Sequence, residues 1–376
     1  MEKRWLVPPR LPPDAEHALR GYPPFLRQIL YNRGYADPDA ARSFLEAHTP
    51  LGTDPYLLSG MDQAVDRIRF AIQRHEPVAI YGDYDVDGVT ATALLVQILQ
   101  RLGADVRGYI PNRFDEGYGL NNEALSNLRA QGVRLVITVD CGIRSLAEAE
   151  HAARLGVDMI ISDHHHPAAE IPQALAVINP KLPGETYPDK DLAGVGLAYK
   201  LACALSGPEG AAAIEDTLDL VALGTVADLA PLVGENRSLV RAGLKLLRRP
   251  RRQGTMALIG VSGLQADKID ASHISFMLGP RLNAAGRLDT ALAALNLLMT
   301  SDVAEAGSLA QQLDIYNHER QELTRQIQIA AEEMAQPDDP ANLLLFAAHP
   351  DFNPGVVGLA ASRLCEQYYR PTIIAA

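Results

Sequence analysis

Cysteine is scarce: the 376 residues hold three, Cys141, Cys203 and Cys365, spread far apart. They form no CxxC pair and no disulfide framework, which suits a reducing cytoplasm. Long apolar runs are lacking too. No stretch of about 18 uninterrupted apolar residues occurs, which excludes a membrane-spanning helix. The opening MEKRWLVPPRLPPD has basic residues but no apolar core behind them, so it does not read as a secretory signal. Positive charge is in deficit, with 34 Lys and Arg against 46 Asp and Glu and a net charge of −12. A protein that holds nucleic acid mainly by neutralising phosphates is usually basic, so a plain nucleic-acid coat is disfavoured. An enzyme that gathers carboxylates around metals, with a basic track elsewhere, stays open.

What is present is the composition of a soluble globular protein: 47% hydrophobic and 21% charged, with 29 Gly and 25 Pro. That excludes a disordered chain, a coiled coil and a collagen-like polymer. The length suits two or three domains. Residues 1–75 read as a helical N-terminal segment. Asp37 before Pro38 marks a helix start, and Met61, Val65, Ile68 and Ile72 recur at helical spacing. From residue 77, short apolar runs alternate with helical stretches near 88–101, 121–131 and 144–155. The runs are PVAIYG (77–82), DVRGYI (105–110), RLVITV (134–139), DMIIS (158–162) and ALAVIN (174–179). Strands this continuously apolar predict a doubly wound α/β fold with a parallel sheet covered on both faces. Residues 76–300 are assigned to this domain and its helical extension, and 301–336 to a charged connector helix. QPDDPAN (336–342) reads as a linker, and 341–376 as the start of a second α/β domain.

Open α/β sheets place function at the carboxyl ends of their strands. Three strands run into acids there: Asp83, Asp140 and Asp163. In GDYDVDG, Asp83, Asp85 and Asp87 stand at i, i+2 and i+4, so an extended backbone would point all three carboxylates one way. Like charges that close raise one another's pKa unless a cation sits among them. The alternative is a solvated acidic turn, and Asp140 has its own alternative as the cap of the next helix. Asp163, His164, His165 and His166 put imidazoles beside hard carboxylates, although a single histidine there can be structural. Asp228 sits in LDLVALGTVADLAPLVG, a stretch apolar on nearly every face and so a buried helix. A buried carboxylate needs a metal or a distant Arg. Carboxylates plus histidine, with room for two ions, describe a two-metal hydrolytic site, and the donors suit Mn²⁺ or Mg²⁺. A dinucleotide-binding oxidoreductase would need GxGxxG after the first strand, where this chain has an acidic turn.

In one order, YGDYDVDGVTATALL, PNRFDEGYGL, ITVDCGI, ISDHHHP, LAGVGLAYK, LGTVADLAPL and GPRLNAAGRL closely resemble the DHH phosphoesterases, on their branch of single-stranded-DNA exonucleases. The resemblance runs from about residue 77 onward. It implies 5′→3′ digestion of single-stranded DNA in repair and recombination, in the cytoplasm, with two Mn²⁺ or Mg²⁺ ions. Its implied ligands are Asp83, Asp85, Asp140, His164 and Asp228, with Asp140 as the bridge. His165 is implied as a phosphate contact, with Asp163 and Asp87 supporting the ligands from behind. Arg113, Arg281 and Arg287 are implied to meet DNA phosphates, while the bland reading of Arg113 is a salt bridge with Asp115 or Glu116. The basic run 248–252 reads as a DNA track or as a solvated charge run. The implied partners are single-stranded DNA and, beside it, a single-strand-binding protein or a helicase, with no membrane. Two enzyme and non-enzyme rivals remain: a relative that cleaves short oligonucleotides or cyclic dinucleotides, and an inactive scaffold in a replication complex. The pattern departs from the family at Asn353, where a histidine is usual. It also stops at PTIIAA, before a glycine-rich phosphate-binding segment and an oligonucleotide-binding domain, so the sequence is read as C-terminally truncated.

Overall fold

The structure, a computed structural model, describes residues 4–47, 53–117, 119–207, 210–337, 339 and 342–376. Tyr118 of PNRFDEGYGL and residues 338, 340 and 341 of the linker lie outside them. Helices α1 (Pro13–Ala18), α2 (Pro24–Asn32) and α3 (Pro38–Glu46) open the chain. Each starts on proline, whose fixed φ suits the first turn and whose missing N–H needs no partner there. Asp37 caps α3 as the sequence predicts, its Oδ1 accepting from Asp39 N and Ala40 N at 2.9 Å. Leu19, Leu30 and Ala41 form a small core of their own. Helix α4 (Met61–Arg74) departs from that group, because Met61, Val65 and Ile68 join the main core.

The sheet follows as β1 (Val78–Gly82), α5 (Val86–Arg101), β2 (Val106–Tyr109), α6 (Asn122–Ala130), β3 (Leu135–Val139), α7 (Leu146–Leu155), β4 (Asp158–Ser162) and β5 (Ala176–Ile178). Its five strands are parallel in the order β2-β1-β3-β4-β5. Every residue of β1 and β3 is buried, which is why these strands are apolar throughout rather than alternating. Leu125, Leu128, Ala149 and Ala152 of α6 and α7 cover one face, and α4 and α5 pack on the other. The chain leaves β1 for β2 on one side and returns to β3 on the other. The crevice outside the carboxyl ends of β1 and β3 is therefore the topological switch point, where open α/β sheets bind ligands.

Helices then dominate: α8 (Gly194–Ser206), α9 (Ala211–Glu215), α10 (Leu218–Ala227), α11 (Gly234–Leu247), α12 (Gln253–Val261), α13 (Ala271–His273), α14 (Gly279–Leu288), α15 (Leu292–Met299) and α16 (Val303–Ala335). Helix α16 has 33 residues and spans about 50 Å at 1.5 Å per residue. Its Ala306, Ala310 and Leu313 belong to the main core. Its Ile327, Ala331 and Ala335 join a second core with β6 (Leu345–Ala348) and α17 (Val357–Tyr368). Strand β7 (Thr372–Ala375) pairs in parallel with β6. No helix among the described residues is long and apolar enough to cross a membrane.

The basic run 248–252 joins α11 to α12. Arg251 pairs with Asp216, Arg252 with Asp219, and Arg248 donates to the Ile269 carbonyl. Arg249, Arg251 and Arg252 line a cavity with Arg101, at the far end of α5 from the acidic turn.

Candidate metal centre

The acidic turn is not the extended strand that its i, i+2, i+4 spacing suggests. Asp83 ends β1, Asp85 is the N-cap of α5, and Asp87 lies in that helix's first turn. Asp85 Oδ1 accepts from Asp87 N at 2.8 Å and Gly88 N at 3.1 Å, satisfying two of the helix's orphan donors. Asp87 is buried and turned toward α8, where it accepts from Gly194 N at 2.7 Å and Val195 N at 2.8 Å. Asp83 and Asp85 come together with Asp140, while Asp87 is turned aside and neighbours His164 and Asp228 instead.

Asp140 follows β3 in the left-handed region, with φ 61°, its own N–H donating to Ser162 O. It does not cap α7, which starts six residues later behind Ser145. Its side chain is buried against the start of α8. A Cβ at Gly194 would lie 2.7 Å from Asp140 Cβ, so glycine there is what lets helix and carboxylate meet. Asp140 Oδ1 and His164 Nε2 are 3.0 Å apart and buried, yet neither makes a hydrogen bond. A carboxylate oxygen and a neutral imidazole nitrogen thus lie side by side, where one cation could take both.

Asp163 is satisfied from within. Ile143 N donates to its Oδ2 at 2.9 Å, and His165 N and Nδ1 meet its Oδ1 at 3.0 and 2.8 Å. Burial alone would raise its pKa, but these bonds hold it below the ordinary carboxylate value. The same bond raises the pKa of His165, whose side chain is 44% exposed at the mouth. Asn179, after β5, fixes this loop by donating to the His165 carbonyl at 2.9 Å.

Asp228 is not inside the buried helix, as its sequence context suggested. Leu218–Val226 are buried, but α10 ends at Ala227, and Asp228 is its C-cap with a side chain 24% exposed. Its Oδ2 lies 3.9 Å from His164 Nε2, and among the described residues no arginine pairs with it.

Three sets of donors have ligand atoms within 4.8 Å of one another: Asp83, Asp85 and Asp140; Asp87, His164 and Asp228; and Asp140, His164 and His165. The electrostatics match a site short of positive charge. Burial, and then Asp85, push Asp83 up to about 7. Burial and Asp85 raise Asp228 to about 6. Asp140 and Asp87 are raised well above the usual range by burial and by neighbouring acids. Burial and His165 press His164 down to about 4, leaving a neutral imidazole at physiological pH.

The basic residues divide. Arg113 lies over the Tyr84 ring, 4.8 Å from its centroid, beside the acidic turn. Glu116 is instead held by Tyr109, Asn112 and Asn121, and among the described residues Arg113 forms no ion pair with Asp115 or Glu116. Arg287 is largely buried, donates to Gly355 O at 3.1 Å, and has its pKa lowered by burial and then by Arg113. Arg281 points elsewhere, donating to Asp314 Oδ1 and Met277 O at 2.8 Å. Asn353 accepts from Gly355 N at 2.8 Å and shapes the turn that meets Arg287.

Other contributors escaped sequence reasoning. Asn283 Oδ1 accepts from Val86 N at 3.1 Å, and a Cβ at Gly286 would lie 2.7 Å from Tyr84 O. The NAAG segment of α14 thus clamps the acidic turn, although only its arginines drew attention. Arg320 of α16 has its pKa lowered by burial and then by Arg287 and Arg363, and its buried Nε makes no hydrogen bond. A charged helix surface gave no signal of that.

Comparison with known proteins points to one family. The DHH family, N-terminal domain, matches residues 77–225. RecJ of Bacillus subtilis (strain 168), a single-stranded-DNA-specific exonuclease, is 44% identical over 93% of this chain and 44% of its own length. RecJ of Escherichia coli (strain K12) is 40% identical over 93% of this chain and 63% of its own. The chain thus spans roughly half of the curated relatives it matches. A crystal structure of exonuclease RecJ bound to manganese superposes with a TM-score of 0.77 at 36% identity, covering 85% of this chain and 80% of that one. RecJ of Thermus thermophilus with Mn²⁺ gives 0.83 at 33% identity, over 97% of this chain and 53% of that one. On its strand-end acids, its Asp163-His164-His165 loop and these relatives together, the chain belongs to the DHH family.

Proposed function

We propose that the chain is the catalytic part of a two-metal phosphodiesterase that trims single-stranded DNA from its 5′ end. Residues 76–300 form its catalytic body and 301–336 the connector. The observation that carries this reading is Asp140 Oδ1 and His164 Nε2, buried 3.0 Å apart with no hydrogen bond. Leaving such donors unmatched is costly unless an outside cation completes them. Hard carboxylates with one neutral imidazole fit Mn²⁺ or Mg²⁺. The RecJ relatives, by their names, are single-stranded-DNA exonucleases and have been solved with Mn²⁺ and with Mg²⁺, which supports the same assignment. A single-strand-binding protein or a helicase that exposes single strands in repair or recombination fits as partner.

When bound, the two ions stabilise charge on the attacking and leaving oxygens of a phosphoryl displacement. The chain's residues set the geometry. Asp83 and Asp85 would hold one side, His164 and Asp228 the other, and Asp140 shares one donor set with Asp83 and Asp85 and another with His164 and His165. Asp87 spends its carboxylate on the start of α8 and so fixes α5 against it. Asp163 holds His165 through Nδ1 and raises its pKa, which leaves the other ring nitrogen for a phosphate oxygen. Arg113, Arg287 and Arg320 receive the phosphates that follow, since guanidinium forks suit them. Arg281 acts through α14, by tying it to α16.

The experiment is digestion with Mn²⁺ of strands labelled at the 5′ or the 3′ end, beside duplex and a cyclic dinucleotide. Mononucleotides released first from the 5′ end of single strands are expected. Release from the 3′ end, or a preference for the dinucleotide, would replace this reading with that of another family branch.

A further inference from the structure

Helix α10 ends in a Schellman motif next to the metal centre. Ala230 N donates to Thr225 O and Leu229 N to Val226 O, both at 3.3 Å, which places Leu229 at the left-handed C′ position. Its φ is 61°. Glycine is the usual residue there, because a Cβ is strained in that conformation. The apolar contact that normally accompanies the motif is made by the next residue, as Ala230 is buried. Leu229 itself is 79% exposed. The fold therefore bears two costs at one residue, a strained backbone and an isobutyl group in water, and glycine would relieve both. Among the described residues, two non-glycine positions with left-handed φ adjoin the metal donors: Asp140, which is one of them, and Leu229, which follows Asp228. Strain of this kind gathers where a site needs it.

We propose that Leu229 is a substrate-contact residue whose side chain packs against the base of the nucleotide being cleaved. The proposal rests on the phosphodiesterase reading. Consecutive Cα atoms are about 3.8 Å apart, so a phosphate drawn to a cation held by Asp228 would bring its own nucleoside near Leu229. The other residues assigned to the strand, Arg113, Arg287, Arg320 and His165, are polar and address phosphate. A base offers an apolar face whatever its identity, so one aliphatic contact would grip any sequence.

The test pairs Leu229→Gly with a change in the substrate. Michaelis constants are measured for wild type and variant on a single strand with a normal terminal nucleotide, and on one with an abasic residue there. Leu229→Gly is expected to raise KM on the normal strand roughly tenfold, the scale of one buried aliphatic contact. On the abasic strand the two proteins should come within about twofold, since the partner is gone. The melting temperature of the variant should hold or rise. Leu229→Asn, which also tolerates left-handed backbone, should behave alike. Equal KM values on the normal strand, an undiminished gap on the abasic one, or a lower melting temperature would each overturn the proposal. A wild-type protein that cleaves neither strand would overturn the phosphodiesterase reading itself.

Discussion

Two of the buried clusters of ionisable groups in this molecule are built on opposite terms. Around α8 and α11, the Lys200 ammonium pairs with Glu235 and donates to Thr53 O at 2.9 Å, while Tyr187 OH donates to Glu235 Oε2 at 2.5 Å. Charge is matched there from within the chain. Glu235 Oε1 makes no hydrogen bond, as Asp140 Oδ1 and His164 Nε2 make none, but it has the Lys200 ammonium beside it, whereas at the ends of β1, β3 and β4 carboxylates outnumber cations. Burial by itself thus says little about function. What separates the two clusters is whether the chain supplies its own counter-charge, and only the second leaves that to something from outside.

The largest expected effect comes from removing the shared donor of the open cluster. Asp140→Ala should lower hydrolysis about a thousandfold, equivalent to several kcal/mol of lost transition-state stabilisation. The metal-free protein should hold or gain stability, because like charges are relieved, while stabilisation by added Mn²⁺ shrinks. Activity within tenfold of wild type would remove Asp140 from the centre. In the closed cluster the signs reverse. Glu235→Ala strands a buried ammonium and should cost about 3–5 kcal/mol whether or not Mn²⁺ is present. If chelator changed that cost, the two clusters would not be independent.

A pH series sharpens the contrast. Asp83 rises from 3.8 to about 7 on folding, so the native state holds a proton that the unfolded chain has lost, and stability falls as pH rises through that window. His164 works the other way, since its depressed pKa of about 4 withdraws stability as pH falls below about 6.5. Above about pH 6.5 His164 is neutral in both states and the acids prevail. The metal-free melting temperature should therefore drop between about pH 6.5 and 8, and Mn²⁺ should abolish or invert that drop, because binding displaces the protons. A shallower metal-free drop in Asp83→Asn would assign part of the effect to Asp83, and an unchanged slope would deny it.

The smallest effect separates two basic regions. Arg320→Gln should raise KM for a long strand several-fold and reduce the salt slope by about one. Arg249→Gln, at the far end of α5, should alter neither. Equal effects from both would mean that the strand follows the 248–252 run after all.

The strand-end acids were legible because β1, β3 and β4 are buried on both faces and stop abruptly at Asp83, Asp140 and Asp163. The spacing of Asp83, Asp85 and Asp87 predicts one convergent trio, whereas only Asp83 and Asp85 share a donor set. The spacing suggested strand alternation, but Asp85 caps α5 and commits Asp87 to the start of α8, a tertiary contact 107 residues away. Asp228 was read as buried because its neighbours are apolar, whereas the helix ends one residue earlier to turn its carboxylate toward His164. The clamp by Asn283 and Gly286, and the pairing of Lys200 with Glu235, depend on which helices pack together. Neither leaves a local periodic trace. The connector helix was visible at 302–335 by its charge, yet the same charge hid Arg320 among solvated neighbours.

The most direct measurement is anomalous scattering from crystals of the protein grown with Mn²⁺. The account predicts two peaks about 3.5–4 Å apart, with the Asp140 carboxylate between them and His164 Nε2 bound to one. No peak at the strand ends, or Asp140 and His164 still facing each other unbridged, would contradict it.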